Sequence, residues 1–430
     1  MKGKHPEAAD RLAPAVTRRT VLGSAGLLAA PAIARAQGAG RPIKIGFVNP
    51  RTGPLAAFGE ADAFVQENLA KTLAEGIRIG GRTHPVQILA RDSQSSSSRA
   101  AEVASELILR DKVDLLTAAS TPDTVNPVAD QAEVNEVPCV TTNCPWQPYF
   151  FGRRGDPAKG FEWTYHFFWG LEDVIAAFTD LWSKAETNKV VGGLFPNDAD
   201  GNAWGDAKLG LPPALAQKGY RLVDTGRFQP FSNDFSAQIA AFKAADVQIV
   251  TGVLAPPDFA TFWSQAGQQG FRPKIATIGK ALLFPSAVSS LGDRGQGLTT
   301  EIWWSPHHPF RSSLTGQTAT ELCDAYSKAT GKPWTQPIGY EHALFEVALD
   351  VLKRAGKLEP EAILGAIRAT DLRTIAGPVK WGSGPVKNVA KTPLVAGQWR
   401  RVSGGGLDLI VLANPGATEI PIGGTLDLLR

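Results

Sequence analysis

Three cysteines in 430 residues leave no disulfide framework to build on. Cys139, Cys144 and Cys323 are odd in number, so at least one thiol stays unpaired. A Cys139–Cys144 bridge has doubtful geometry if Cys139 lies in a strand, and free buried thiols are the expected state. Charge of one sign is also missing. Lys and Arg number 44 against 41 Asp and Glu, and no Lys/Arg tract stands out. Nucleic acid and anionic membrane are therefore poor partners. Beyond the N-terminal leader, no segment approaches a membrane-spanning run. There is no long repeat, and Ser95–Ser98 is only a polar turn ahead of a helix.

Catalytic motifs are equally sparse. The six His are scattered, none with the i, i+4 spacing of a helical metal pair. His307 and His308 are adjacent and would point apart in a strand. The mature chain has no Gly-x-Ser-x-Gly elbow and no phosphate loop ending in Gly-Lys-Ser/Thr. No enzyme class, cofactor or metal is expected from these residues.

What is present reads as a secreted two-lobed protein. Hydrophobic residues make up 43% and charged residues 20%, as in soluble globular chains. A mass of 45.7 kDa is too large for one ordinary core. Thr17-Arg18-Arg19-Thr20 precedes an apolar run from Val21 to Ile33, and Ala34-Arg35-Ala36 has a small-x-small cleavage pattern. Residues 1–36 are predicted to be a twin-arginine-type signal peptide, which sends a folded protein to the periplasm. The alternative is a buried N-terminal helix. No Cys follows the cleavage pattern, so no lipid anchor is expected there.

The mature chain opens on an alternating strand, Ile43–Asn49, a turn containing Gly53 and Pro54, and a long amphipathic helix. Such a turn aims free backbone N–H groups at one point. Strand-like runs follow at 86–92, 113–118, 138–141, 190–195, 221–228, 247–254 and 274–278. Helical patterns cover 98–109, 124–134, 204–217, 235–245, 257–268, 318–330, 340–354 and 360–369. Apolar strands alternating with helices predict parallel sheets covered on both faces. The aromatic stretch Trp146–Trp169 breaks the pattern and is expected to cross between lobes, as is 302–309.

Four segments in this order are similar to the type I periplasmic solute-binding proteins of ABC importers, in the branched-chain (hydrophobic) amino acid group. They are Thr52-Gly53-Pro54-Leu55-Ala56, Arg91-Asp92-Ser93-Gln94, Asp111-Lys112-Val113-Asp114, and Gly339-Tyr340-Glu341-His342-Ala343 with its helix ending Lys353-Arg354-Ala355-Gly356. The resemblance implies two doubly wound parallel-sheet α/β lobes joined by a three-segment hinge. They are expected at 42–160 plus 305–373 and at 161–304 plus 374–430. It further implies a small ligand caught by lobe closure, delivery to an ABC permease in the inner membrane, no cofactor and a monomer. The alternatives are a sensor module of the same fold reporting to a membrane receptor, and an exported enzyme on the same scaffold.

The resemblance also places candidate ligand contacts. The first lobe offers Phe58, Thr121 and Asp123 at a helix start, and Thr142, Asn143 and Trp146 after the next strand. Hydroxyls and N–H groups at a helix start suit a carboxylate, but Thr121 or Asp123 could equally be a plain cap. Trp146 is either an aromatic wall or hinge packing. In the second lobe Trp204 is the expected stacking ring, against a core role. Asp198-Ala199-Asp200-Gly201 has the start of a calcium loop but lacks its closing acid. Gly252 and Leu254 sit at a strand end. Lys280 stands where amino-acid-binding relatives tend to carry an acid, and facing the cleft it would attract a carboxylate.

Overall fold

A computed structural model describes residues 40–402 and 406–429. The signal-peptide expectation lies outside the described residues. Two sheets organise the chain. The first runs β15 (Val389–Ala390), β7 (Thr164–Phe167), β6 (Cys139–Thr142), β5 (Leu115–Ala119), β1 (Ile43–Asn49), β4 (Val86–Asp92), and every neighbouring pair is parallel. The second runs β17 (Leu407–Ala413), β16 (Val395–Arg401), β12 (Thr299–Ile302), β11 (Ile275–Gly279), β10 (Ile249–Val253), β8 (Val190–Pro196), β9 (Arg221–Phe228). Its first three members pair antiparallel and the others parallel. Two hairpins complete the strands, β2 (Ile77–Ile79) with β3 (Arg82–His84), and β13 (Asp371–Thr374) with β14 (Gly377–Lys380).

The strands in the middle of each sheet are buried throughout because helices cover both faces. β5, β6, β10, β11 and β12 are buried at every residue. The helix Pro337–Ala355 lies at the centre of the first lobe, with only four of its nineteen residues not buried. Local chemistry sets the helix ends. Thr318 and Glu321 form a reciprocal capping box at the start of the helix Ala319–Thr330, which ends at Gly331 with φ +71°.

Sheet membership moves the lobe boundaries. β7 lies in the first sheet, so the strand expected in the second lobe belongs to the first, and the crossing is the short stretch Phe168–Gly170. β15 is also in the first sheet, and β13 packs on the helix Pro337–Ala355, so 374–390 likewise leave the second lobe. The reason is edge pairing. β7 continues the first sheet beyond β6, and β15 then pairs with β7. The chain returns to the second sheet only at β16. Lys391, on that return, pairs with Glu172 and Asp173 at 2.8 and 2.7 Å, tying two crossings together.

Several elements differ from the periodicity reading, two of them long helical stretches. The helix expected over 204–217 is two helices, Ala199–Trp204 and Leu211–Gln217. Pro212 and Pro213 lack N–H groups and cannot continue a helix from upstream, yet they suit a first turn. The helix Leu171–Ser183, which packs on the second sheet, directly follows the aromatic break and has no counterpart among the expected helices. All three cysteines are free and buried, as expected.

Candidate functional site

The cleft forms where strand carboxyl ends of both sheets face each other. β5 ends into Ser120-Thr121, β6 into Asn143, β7 into Trp169, β8 into Asp198 and Asp200, β10 at Val253, β11 into Lys280, and β12 into Trp303. Open α/β sheets place ligands there because helix starts and turns, not side-chain-filled sheet faces, converge at that edge. Three non-glycine residues at these ends have positive φ: Ser120 at 134°, Asn143 at 74° and Lys280 at 67°. Backbone held this way stores strain, and it concentrates where ligands are handled.

Between the lobes is a cavity of about 20 Å³ lined by Phe58, Thr121, Asn143, Pro145, Trp169, Asp200, Trp204, Val253, Lys280, Glu301 and Trp303. That volume suits about one water molecule. The cleft is shut: Phe58 of the first lobe meets Phe284 of the second edge-on at 5.2 Å between ring centres. A larger groove of about 760 Å³, lined by Trp263, Arg272 and Arg294 among others, lies on the second lobe away from these strand ends.

The cavity wall carries polar atoms without partners. The Thr121 hydroxyl, both amide atoms of Asn143, Asp200 Oδ1, and the indole N–H groups of Trp169, Trp204 and Trp303 are buried and make no hydrogen bond. Folded proteins rarely leave such atoms orphaned, because each costs about 1–3 kcal/mol. Seven such atoms lie around this one cavity, five of them able to donate: the Thr121 hydroxyl, the Asn143 amide nitrogen and the three indoles.

The charged groups are paired among themselves. Lys280 is buried, and its Nζ lies 2.8 Å from Asp200 Oδ2 and 3.4 Å from Asp198 Oδ2. Burial opposes its charge, but Asp198, Asp200 and Asp123 outweigh burial and hold the ammonium charged. Burial pushes Asp200 up to about 6 against the pull of Lys280. It also pushes Glu301 up to about 7, although the Lys280 backbone N–H and the Thr300 hydroxyl both donate to that carboxyl at 2.9 Å.

A sequence profile described as periplasmic binding protein matches residues 42–406. The chain belongs to the periplasmic binding protein family. No curated protein matches it in sequence. Among solved structures, this binding protein is similar to a leucine-binding protein LivK from Thermotoga maritima, at 22% identity and TM-score 0.68, covering 87% of this chain and 99% of that one. It is similar to a solute-binding protein of an ABC transporter from Rhodopseudomonas palustris in complex with 3,4-dihydroxybenzoic acid, at 19% identity and TM-score 0.70, covering 88% and 99%. A third is the branched-chain amino acid transporter substrate-binding protein LivJ from Streptococcus pneumoniae in complex with isoleucine, at 16% identity and TM-score 0.66, covering 86% and 99%. These likenesses are of fold: two α/β lobes with parallel sheets. The family is one of periplasmic binding proteins. Among the described residues no helix is long and apolar enough to cross a membrane.

Five of the ten residues expected from the sequence line the cavity of this binding protein: Phe58, Thr121, Asn143, Trp204 and Lys280. Thr121 occupies the N-cap of the helix Pro122–Val134, yet its hydroxyl makes no capping bond and stays available. Trp204 is 1% exposed and packs edge-on against Phe178 at 5.8 Å, so it serves core and cavity together. The other five do not line the cavity. Thr142 donates its hydroxyl to the Phe167 carbonyl at 2.7 Å. Trp146 gives its indole N–H to Glu172 at 3.1 Å and packs on Phe151, the hinge arrangement. Asp123 sits beyond the cavity wall and acts on Lys280 through space. Gly252 and Leu254 flank Val253, the residue that does reach the cavity, and strand alternation turns them to the other face. Lys280 does face the cleft, but Asp198 and Asp200 already hold the ammonium, a cation in the place of the calcium-loop reading. The residues not anticipated are Pro145, Trp169, Asp200, Val253, Glu301 and Trp303. The density of Trp near the crossings was the signal for two of them. Asp200 was visible only as part of Asp-x-Asp, and Glu301 had no signal at all.

Proposed function

We propose that this protein is the periplasmic substrate-binding component of an ABC importer. Its cargo is a small apolar or aromatic carboxylate, a hydrophobic amino acid being the other member of that class. The observation that carries the reading is the group of unpartnered donors set among aromatic rings. Thr121, Asn143, Trp169, Trp204 and Trp303 supply more donors than acceptors, which matches a carboxylate head. Phe58, the indoles and Val253 supply the apolar surface for a ring or a branched chain.

A cavity of about 20 Å³ does not hold such a molecule, so the lobes part to admit it and close on it less tightly than they close on each other. A ligand that touches both lobes favours the closed state by its differential affinity, and a permease that reads the closed state then receives loaded protein. The crossing peptides carry the hinge.

The test is thermal unfolding against panels of amino acids and of aromatic and branched acids. A ligand at a hundredfold excess over its dissociation constant adds about 2.7 kcal/mol of stability. Silence across both panels removes these ligand classes. X-ray scattering with and without a proven ligand checks the closure. Stimulation of the cognate permease ATPase by the loaded protein supports transport, and its absence favours a sensor.

A further inference from the structure

We propose that the cleft selects an acid that carries no ammonium group, because the Lys280 ammonium already occupies the seat between Asp200 and Asp198 that a guest ammonium would take. This rests on the binding-protein reading above and narrows its ligand class. An isolated buried Asp200 would call for a cationic guest. Here Lys280 Nζ meets it at 2.8 Å, meets Asp198 at 3.4 Å, and is tethered by its own chain at the end of β11. The tether is deliberate in the backbone. Lys280 holds φ at +67°, a conformation strained for a side-chain-bearing residue, and its N–H is fixed by Glu301 at 2.9 Å.

A guest ammonium placed in this cavity would stand beside a resident one in a water-poor space, where like charges repel strongly. The other carboxyl in the wall, Glu301, already accepts the Lys280 N–H on one oxygen and the Thr300 hydroxyl on the other, and burial pushes it toward its neutral form, up to about 7. Asp123 lies outside the cavity lining. A guest carboxylate fares better. An ammonium has three donors, and two of those on Lys280 have carboxylate partners, so one is left for a guest oxygen beside Thr121, Asn143 and the indoles. Asp200 Oδ1 and Asn143 Oδ1, the unpartnered acceptors of the wall, suit a guest hydroxyl. The favoured ligand is a small hydroxy-substituted carboxylic acid with an apolar or aromatic body.

Calorimetric titration with matched pairs tests this, each pair differing only in hydroxyl for amino: 2-hydroxy-4-methylpentanoate and leucine, 3-phenyllactate and phenylalanine, 4-hydroxyphenyllactate and tyrosine. The unmodified protein is expected to bind the hydroxy member of at least one pair about tenfold or more tighter than its amino twin. The Asp200→Asn variant, which frees Lys280 toward the guest, is expected to bind the hydroxy acid more tightly and keep the preference. Lys280→Met is expected to narrow or reverse it. Equal or tighter binding of the amino twin by the unmodified protein overturns the inference and leaves the importer reading standing, as does loss of the preference in Asp200→Asn. Failure to bind any member of the three pairs overturns the inference and counts against the importer reading as well.

Discussion

Behind the cleft, the first lobe buries two carboxyl groups against each other, and the arrangement makes a quantitative prediction. Asn49 donates to Asp62 Oδ1 at 2.8 Å, to Glu341 Oε1 at 3.2 Å and to the carbonyl of the cavity residue Phe58 at 3.3 Å. Arg51 pairs with Asp62 at 2.9 Å, so Asp62 is the member that keeps the negative charge. Glu341 is fully buried, and burial together with the adjacent Asp62 raises its pKa well above 4.5. Glu341 therefore holds its proton to higher pH in the folded state than in the unfolded one. The sign follows: the folded state holds the extra proton, so the contribution of Glu341 is fully present below pH 4.5 and is lost as pH rises toward the folded value. The loss approaches about 1.4 kcal/mol per pH unit.

Glu341→Gln removes this proton while keeping an oxygen for Asn49 and an N–H for Asp62. The variant is expected to match the parent near pH 4.5 and to gain on it as pH rises above that, with a slope of at most about 1.4 kcal/mol per pH unit. Asp200 and Glu301, raised to about 6 and about 7, give slopes of the same sign in both proteins and cancel in the difference. Urea unfolding at half-unit pH steps reads it, with a constant m-value as the check on two-state behaviour. Parallel stability curves, or a variant that loses ground to the parent as pH rises, would refute a Glu341 pKa raised by folding.

Ser120→Gly relieves a φ of 134° and removes a buried hydroxyl that has no partner, so stability is expected to rise by roughly 1 kcal/mol in denaturant unfolding; a loss would show that the strain is not there. Trp204→Ala empties a buried position between the cavity and Phe178 and is expected to cost about 3–5 kcal/mol, read as a lower urea midpoint. The thiols of Cys139, Cys144 and Cys323 are buried, with Cys139 pushed up to about 12 by burial, so the native protein is expected to resist a thiol reagent that modifies all three in denaturant.

The chain by itself determined the fold class. Alternating apolar strands and helices, each bounded by Gly, Pro and capping residues, admit little besides parallel sheets with helices on both faces, and those signals are local. Thr121, Asn143, Trp204 and Lys280 were legible for the same reason, since a strand end followed by a turn is a local event. Which lobe owns β7 and β15 was not, because edge pairing is decided by strands far apart in sequence. Nor did the sequence show that Lys280 meets Asp198 and Asp200, eighty residues away, or that Trp169 at the end of β7 shares one cavity wall with Glu301 and Trp303 at the end of β12. Orphaned donors, paired charges and a closed cleft are properties of packing, and packing exists only once the distant segments have met.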